Sequence, residues 1–446
     1  MSVWGWVVRA LGCGRAGARW CVGLVGCSLA VMLVAPGGAQ AAAATTLSYS
    51  ISSFTAHGYD NVSPGEPTVA VGRTYIVETI NPSFTVYTKS GSMTSHQEFS
   101  SFFPGNGFCI DPRGVYGKAV NRYAIVCSDL TNSVTRFAVS KTGNPNGGWY
   151  LFNAGPNTSV DQPSIEFTSN KLIVVGSGPF GCGSGCGTAI WTFQLSDVLS
   201  GSATPRMKYI NVPRGQYRAA NQLTSTSPGY LVQGFPGNDV YLGTVTGTPA
   251  AGNVAFTETD LGPDTQAAPH EPSIPGGNLG AGDLDGRVLN ANYEVTAFHS
   301  AIIEFGQMAT CGSLDCNVDG RITLGTTPTL SYLETRPTAG FDQTYAAVVP
   351  DGNGRPVMTY TRSSPTQSPQ AAVMSTGLNK VVRGATPGVS ACLSTQTPPC
   401  DIRWGDYLSA TQDPGNAQRL WLSGLYKTAD GGDGWTTVIT SVTVLR

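Results

Sequence analysis

The sequence predicts an all-β fold: a β-propeller of about seven four-stranded blades, with the last blade closed by the mature N-terminal strand. Three observations predict it. Short β-rich runs such as Val69-Ala70-Val71, Tyr75-Ile76-Val77, Phe84-Thr85-Val86-Tyr87 and Leu172-Ile173-Val174-Val175 are punctuated throughout by Gly, Pro, Asn and Asp. With 56 Gly and 29 Pro in 446 residues, long helices are disfavoured, and the best helical candidate is a single turn near Leu195–Leu199. Finally, a charged residue recurs just before a strand, as a loose internal repeat.

The repeat sets the blade count. Its marks are Glu66, Asp111, Asp161, Arg218, Asp285, Asp342 and Asp406, spaced 45, 50, 57, 67, 57 and 64 residues apart. Such intervals hold four short strands and their turns, close to the ~50 residues of kelch-type blades. The unit after Asp342 is the clearest: Tyr345 to Val349, a turn over Asp351-Gly352-Asn353-Gly354, Pro356 to Thr361, then Ala371 to Met374. Six or eight blades fit nearly as well. The last unit supplies three strands, from Tyr407 to Thr411, Leu420 to Tyr426 and Trp435 to Val444. The alternating run Leu47, Tyr49, Ile51 is expected to pair with them as the fourth.

The first residues carry an export signature. Arg9, Arg15 and Arg19 precede an apolar run over 21–35, and Ala39-Gln40-Ala41 has the form of a cleavage site. The expected domains are a secretory signal peptide over 1–41 and a single propeller over 42–446. Loss of the signal takes the net charge from -2 to -5, since residues 1–41 hold three arginines and no acid. No basic stripe argues for nucleic acid, and no second apolar stretch is long enough to span a membrane. The expectation is a monomeric extracellular protein.

Eight of the eleven cysteines lie beyond the signal, as four close pairs: Cys109 and Cys127, Cys182 and Cys186, Cys311 and Cys316, Cys392 and Cys400. An even count in an exported chain reads as disulfides. The four histidines, His57, His96, His270 and His299, do not stand beside these pairs at zinc-ligand spacing.

Three stretches carry a resemblance: Arg403-Trp404-Gly405-Asp406-Tyr407, the segment from Tyr345 through Tyr360-Thr361-Arg362-Ser363-Ser364-Pro365, and Asn144-Pro145-Asn146-Gly147-Gly148-Trp149-Tyr150. Together they resemble secreted bacterial β-propeller proteins of the sialidase-like superfamily, mostly without assigned activity. Thr428-Ala429-Asp430-Gly431-Gly432-Asp433-Gly434-Trp435 is similar to that superfamily's Asp-box, with Gly434 where Thr is usual. In that family the box stabilises a turn and performs no chemistry.

Residues just before the innermost strands of a propeller ring one mouth of its tunnel. Glu66, Asp111, Asp161, Asp285, Asp342 and Asp406 are therefore expected to share a face with Arg218, and Tyr345, Arg403, Trp404 and Tyr407 complete the ligand-binding candidates. Such carboxylates could bind Ca²⁺, although no cofactor is required, or serve acid/base chemistry. They could equally cap local N–H groups or pair with Arg113, Arg287 or Arg403. The aromatic candidates could stack on a sugar or simply pack between blades. A sialidase site needs a cluster of arginines, for which Arg218, Arg287 and Arg403 are the candidates, and no stretch matches that family's catalytic motif. The G-x-S-x-G elbow is absent, and the Asp283-Leu284-Asp285-Gly286 start of a calcium loop lacks its later ligands. Two readings stay open. One is a binding or scaffold protein that recognises a glycan or protein ligand at an acidic mouth. The other is a carbohydrate-active hydrolase using mouth carboxylates. Whether the chain is an enzyme is left open at this level.

Overall fold

The computed structural model describes residues 47–58, 62–155, 158–179, 186–280, 285–387, 399–428 and 434–445. The segment expected to be a signal peptide, Cys182, Cys392 and Asp430 of the stretch that resembles an Asp-box lie outside the described residues. The chain divides into Met1–Thr45 and Thr46–Arg446, and only the second unit is described below.

Among the described residues, seven larger, mainly antiparallel sheets follow one another along the chain, each built inside to outside. The first comprises Thr68–Val71, Tyr75–Ile80, Ser83–Thr88 and Met93–Glu98, and the second Cys109–Gly117, Arg122–Asp129, Val134–Ser140 and Trp149–Asn153. The third is Val160–Phe167, Lys171–Pro179, Thr188–Gln194 and Met207–Val212, and the fourth Arg218–Ala219, Gly229–Gln233, Asp239–Thr246 and Ala255–Pro263. The fifth is Asn290–Val295, Ala301–Cys311, Leu314–Thr323 and Thr329–Arg336, joined by a short parallel strand, Asn221–Gln222. The sixth is Asp342–Pro350, Pro356–Ser364, Gln367–Ser375 and Leu378–Arg383.

The seventh sheet is made from both ends of the chain. Ala410–Asp413, Asn416–Lys427 and Trp435–Leu445 are completed by Ser48–Gly58, with Tyr49 opposite Val444 and Ile51 opposite Val442. The N-terminal strand thus takes the outer place expected for it, and its alternating burial follows its alternating sequence. The inner strand begins at Ala410 rather than at Tyr407, which belongs to the loop before it. The expected helical turn is the helix Leu195–Ser200, stopped by Gly201 in the left-handed conformation.

Each first strand touches the first strand of the next sheet, and Ala410–Asp413 touches both Thr68–Val71 and Asp342–Pro350, so the circuit of inner strands closes. This arrangement of sheets fits a β-propeller. Sheets stacked face to face bury both sides of their middle strands, which explains why Leu172, Ile173, Val174 and Val175 are all buried without alternation. The outer strands, such as Met93–Glu98 and Met207–Val212, face solvent on one side and are partly exposed. A small sheet of Ser273–Ile274, Gly277–Asn278 and Cys400–Asp401 ties together two long connections.

Two predicted disulfides are formed, Cys109–Cys127 and Cys311–Cys316, with Cα atoms 5.7 and 5.8 Å apart. Cys186 and Cys400 are also disulfide-bonded.

The start of the inner strands repeats one backbone device. Glu66, Asp111, Gln162, Gln216, Gly286 and Tyr345 all have positive φ, between 46° and 77°. In the second, third and sixth sheets the pairing register shifts at this point. A residue in this conformation makes a bulge that turns its side chain out of the strand's alternation.

Candidate functional site

The bulges bring Glu66 and Asp111 together. Asn81, at the end of the second strand of the first sheet, holds both. Its Nδ2 donates to Glu66 Oε2 at 3.1 Å and to the Pro64 carbonyl at 3.1 Å, while its Oδ1 accepts the Asp111 N–H at 2.8 Å. Asp111 Oδ2 in turn accepts the Gln162 N–H at 3.0 Å, which fixes the third sheet's bulge against the second's.

Asp406 arrives from the loop before the seventh sheet. Arg403 clasps it with both Nη atoms, Nη2 lying 2.5 Å from Oδ2, and Nη1 also donates to the Gly405 carbonyl. Glu66, Asp111, Asp161, Asp406, Arg403 and Asn81 line one pocket of about 270 Å³, with Phe108 and Ile110 on its apolar side. Phe108 is 43% exposed, so its ring is available as a platform.

Arg113 lines a different cavity but stands near enough to Glu66, Asp111 and Asp406 for their charges to act on it. Its Nη1 donates at 3.0 Å to the Leu289 carbonyl of the connection into the fifth sheet, and its guanidinium lies 3.6 Å over the Tyr407 ring. Tyr407 is fully buried, and its hydroxyl donates to the Pro112 carbonyl at 3.3 Å.

The electrostatics of the pocket are uneven. Burial, together with the nearby negative charges of Asp111 and Asp406, holds the Glu66 carboxyl well above the usual carboxylate range. Burial pulls Arg403 down, but its hydrogen bonds to Asp406 outweigh that and raise it overall. Burial and the adjacent Glu66 push the Tyr407 phenol up, so it stays neutral.

The other marks do not join the cluster. Arg218 lines a separate central cavity and donates from both Nη atoms to Gln162. Asp285 is paired with Arg287 at 2.5 Å and borders a different pocket of about 700 Å³ beside Arg214 and Tyr241. Asp342 accepts the N–H groups of Ser273 at 2.8 Å and Asp315 at 3.0 Å, stapling the small sheet to its neighbours. These carboxylates are spent locally. Arg218, Arg287 and Arg403 serve three different partners and form no cluster for a substrate carboxylate.

The aromatic candidates are also placed differently from expectation. Tyr345, Trp404 and Tyr407 are fully buried and cannot stack on a ligand. Trp404 instead donates its indole N–H to Thr361 Oγ1. The platform is Phe108, which the sequence reading passed over, as it did Asn81. Among the described residues no three His, Cys, Asp or Glu side chains converge as metal ligands. No described helix is long and apolar enough to cross a membrane.

No family model matches the chain, and no curated protein does. Among solved structures, the chain is similar to a fungal alcohol oxidase in complex with copper, at 12% identity, covering 85% of this chain and 75% of that one with a TM-score of 0.48. It is also similar to the α-L-arabinofuranosidase Arb93A of Fusarium graminearum, at 12% identity, 75% and 92% coverage and a TM-score of 0.40. An endo-arabinase of Bacteroides thetaiotaomicron aligns at 11% identity over 59% of this chain and 93% of that one, with a TM-score of 0.34.

Proposed function

We propose that the chain is a secreted, seven-bladed β-propeller of the sialidase-like kind that binds a glycan in the pocket of Glu66, Asp111, Asp161 and Asp406. The observation that carries this reading is the chemistry of that pocket. Four carboxyl groups and an amide face a cavity of about 270 Å³, the size of a single sugar ring, beside the exposed Phe108 ring. Carboxylate oxygens accept hydrogen bonds from adjacent hydroxyls, and an aromatic face covers the apolar side of a sugar. With Arg403 already held by Asp406, an anionic sugar finds no idle cation in the pocket lining, so the ligand class is a neutral, hydroxyl-rich glycan.

One observation favours a second reading, glycoside hydrolysis. Glu66, whose carboxyl is raised by burial and by the charges of Asp111 and Asp406, stands beside those two carboxyl groups, the pairing that acid/base cleavage uses. A glycan array on the secreted form, paired with a panel of aryl glycosides, separates the two. Binding without turnover, weakened at least tenfold by Asp111→Asn, supports the first reading. Turnover lost in Glu66→Gln while binding persists supports the second. Neither binding nor turnover with neutral glycans refutes both.

A further inference from the structure

The inner strands line a second, smaller cavity that shares no lining residue with the acidic pocket. It measures about 50 Å³, room for a halide ion with a water or two. Its polarity is opposite to that of the pocket. Two arginines, Arg113 and Arg218, line it, and no carboxylate does among the described residues. The seat of Arg113 is unusual. It is 8% exposed, its Nη1 is spent on the Leu289 carbonyl, and one face of the guanidinium is covered by Tyr407. Its Nε and Nη2 are buried with no hydrogen-bond partner among the described residues. These two nitrogens form the side edge of the guanidinium, the fork that grips an anion in a two-pronged way.

The hydroxyls around this fork point to the same occupant. Ser164 Oγ accepts the Ala219 N–H at 3.1 Å, and Thr411 Oγ1 accepts from Asn221 Nδ2 at 3.2 Å. Each oxygen is thus engaged as an acceptor, and its own hydrogen is left to donate. Ser409 Oγ accepts the Val69 N–H at 2.7 Å and is also within hydrogen-bond range of Ser423 Oγ at 3.4 Å, so its own hydrogen has another partner within reach. The cavity is rich in donors and carries positive charge.

We propose that the central cavity is a binding site for a small monovalent anion of the chloride type, held by the Nε–Nη2 edge of Arg113 and the hydroxyls of Ser164 and Thr411. The anion adds to the charges of Glu66, Asp111 and Asp406, which also act on Arg113, in balancing a guanidinium that burial disfavours.

Crystals of the full secreted chain grown in bromide test the site directly. The expected result is an anomalous peak within hydrogen-bonding distance of Arg113 Nε and Nη2, displaced by chloride and not by sulfate. In solution, the chloride NMR linewidth should broaden with the protein and narrow as bromide is added. Arg113→Met should lose the broadening, and Arg206→Ala, an exposed arginine, should keep it. Should Arg113→Met fail to fold, the wild-type anomalous map and the bromide competition decide alone. An ordered water only at the fork in bromide crystals, or linewidths that do not respond to Arg113→Met in a folded variant, overturns the proposal.

Discussion

Glu78 gives the sharpest test of how the ring is closed. It lies in the second strand of the first sheet and is 1% exposed. Its carboxyl receives the His57 N–H and the Tyr87 hydroxyl, both at 3.4 Å, so it faces the N-terminal strand across the seam between first and last sheets. Burial raises it from 4.5 to about 7, partly offset by hydrogen bonds from Thr437 and His57. A raised folded-state value means that the folded chain keeps a proton the unfolded chain has released. The stabilisation is complete below pH 4.5 and is lost as pH rises to 7, at about 1.4 kcal/mol per pH unit, or about 3 kcal/mol in all. Glu78→Gln removes the titration while keeping a neutral amide of the same shape. At pH 5 the two proteins should melt close together. At pH 8 the variant should be more stable by about 3 kcal/mol, which for a unit of this size is about 4 °C. Calorimetric melts of both proteins from pH 5 to 8 measure the difference, in which Glu294 and Asp315, raised to about 8 and about 6, cancel. His57, stacked on His96 at 4.4 Å, is common to both proteins as well. A difference that stays constant with pH would refute the reasoning.

Three further outcomes are expected. Gly72→Ala places a Cβ 2.0 Å from the hydroxyl of Tyr123, a fully buried ring whose OH is tied to the Tyr75 carbonyl, and should cost about 2–3 kcal/mol in denaturant unfolding. Replacing Cys109 and Cys127 together by Ala opens a loop of sequence separation 18 and should lower stability by about 3 kcal/mol in chemical denaturation. Removing residues 47–58 bares the Trp435–Leu445 strand as a raw edge, so the shortened chain should lose its cooperative melt and aggregate by light scattering.

The sequence marks worked for the sheets and worked only in part for the site, for one physical reason. The strands follow from turn residues and β-rich runs, which are local, and the pairing of Tyr49 and Ile51 with the last strand follows from their alternation. The site depends on backbone phase. The marks were matched by charge, whereas the structure repeats a conformation: the positive-φ residue at the head of an inner strand. Glu66 and Asp111 occupy that position and meet in the pocket. Asp161 sits one residue before its bulge at Gln162, Asp285 one before Gly286, Asp342 three before Tyr345, and Arg218 two after Gln216. Away from that position Asp285, Asp342 and Arg218 reach other partners, while Asp161 still borders the acidic pocket. The first three bulges share a step visible without any structure, since Glu66, Asp111 and Gln162 are each followed by proline. Aligned on the positive-φ residue, Thr68, Arg113, Ser164 and Arg218 each fall two residues after it, the last without the proline, and all four line the central cavity. The mouth carboxylates and the channel donors are thus two phases of one repeat, one turned outward by the bulge and the other inward by the strand that follows it.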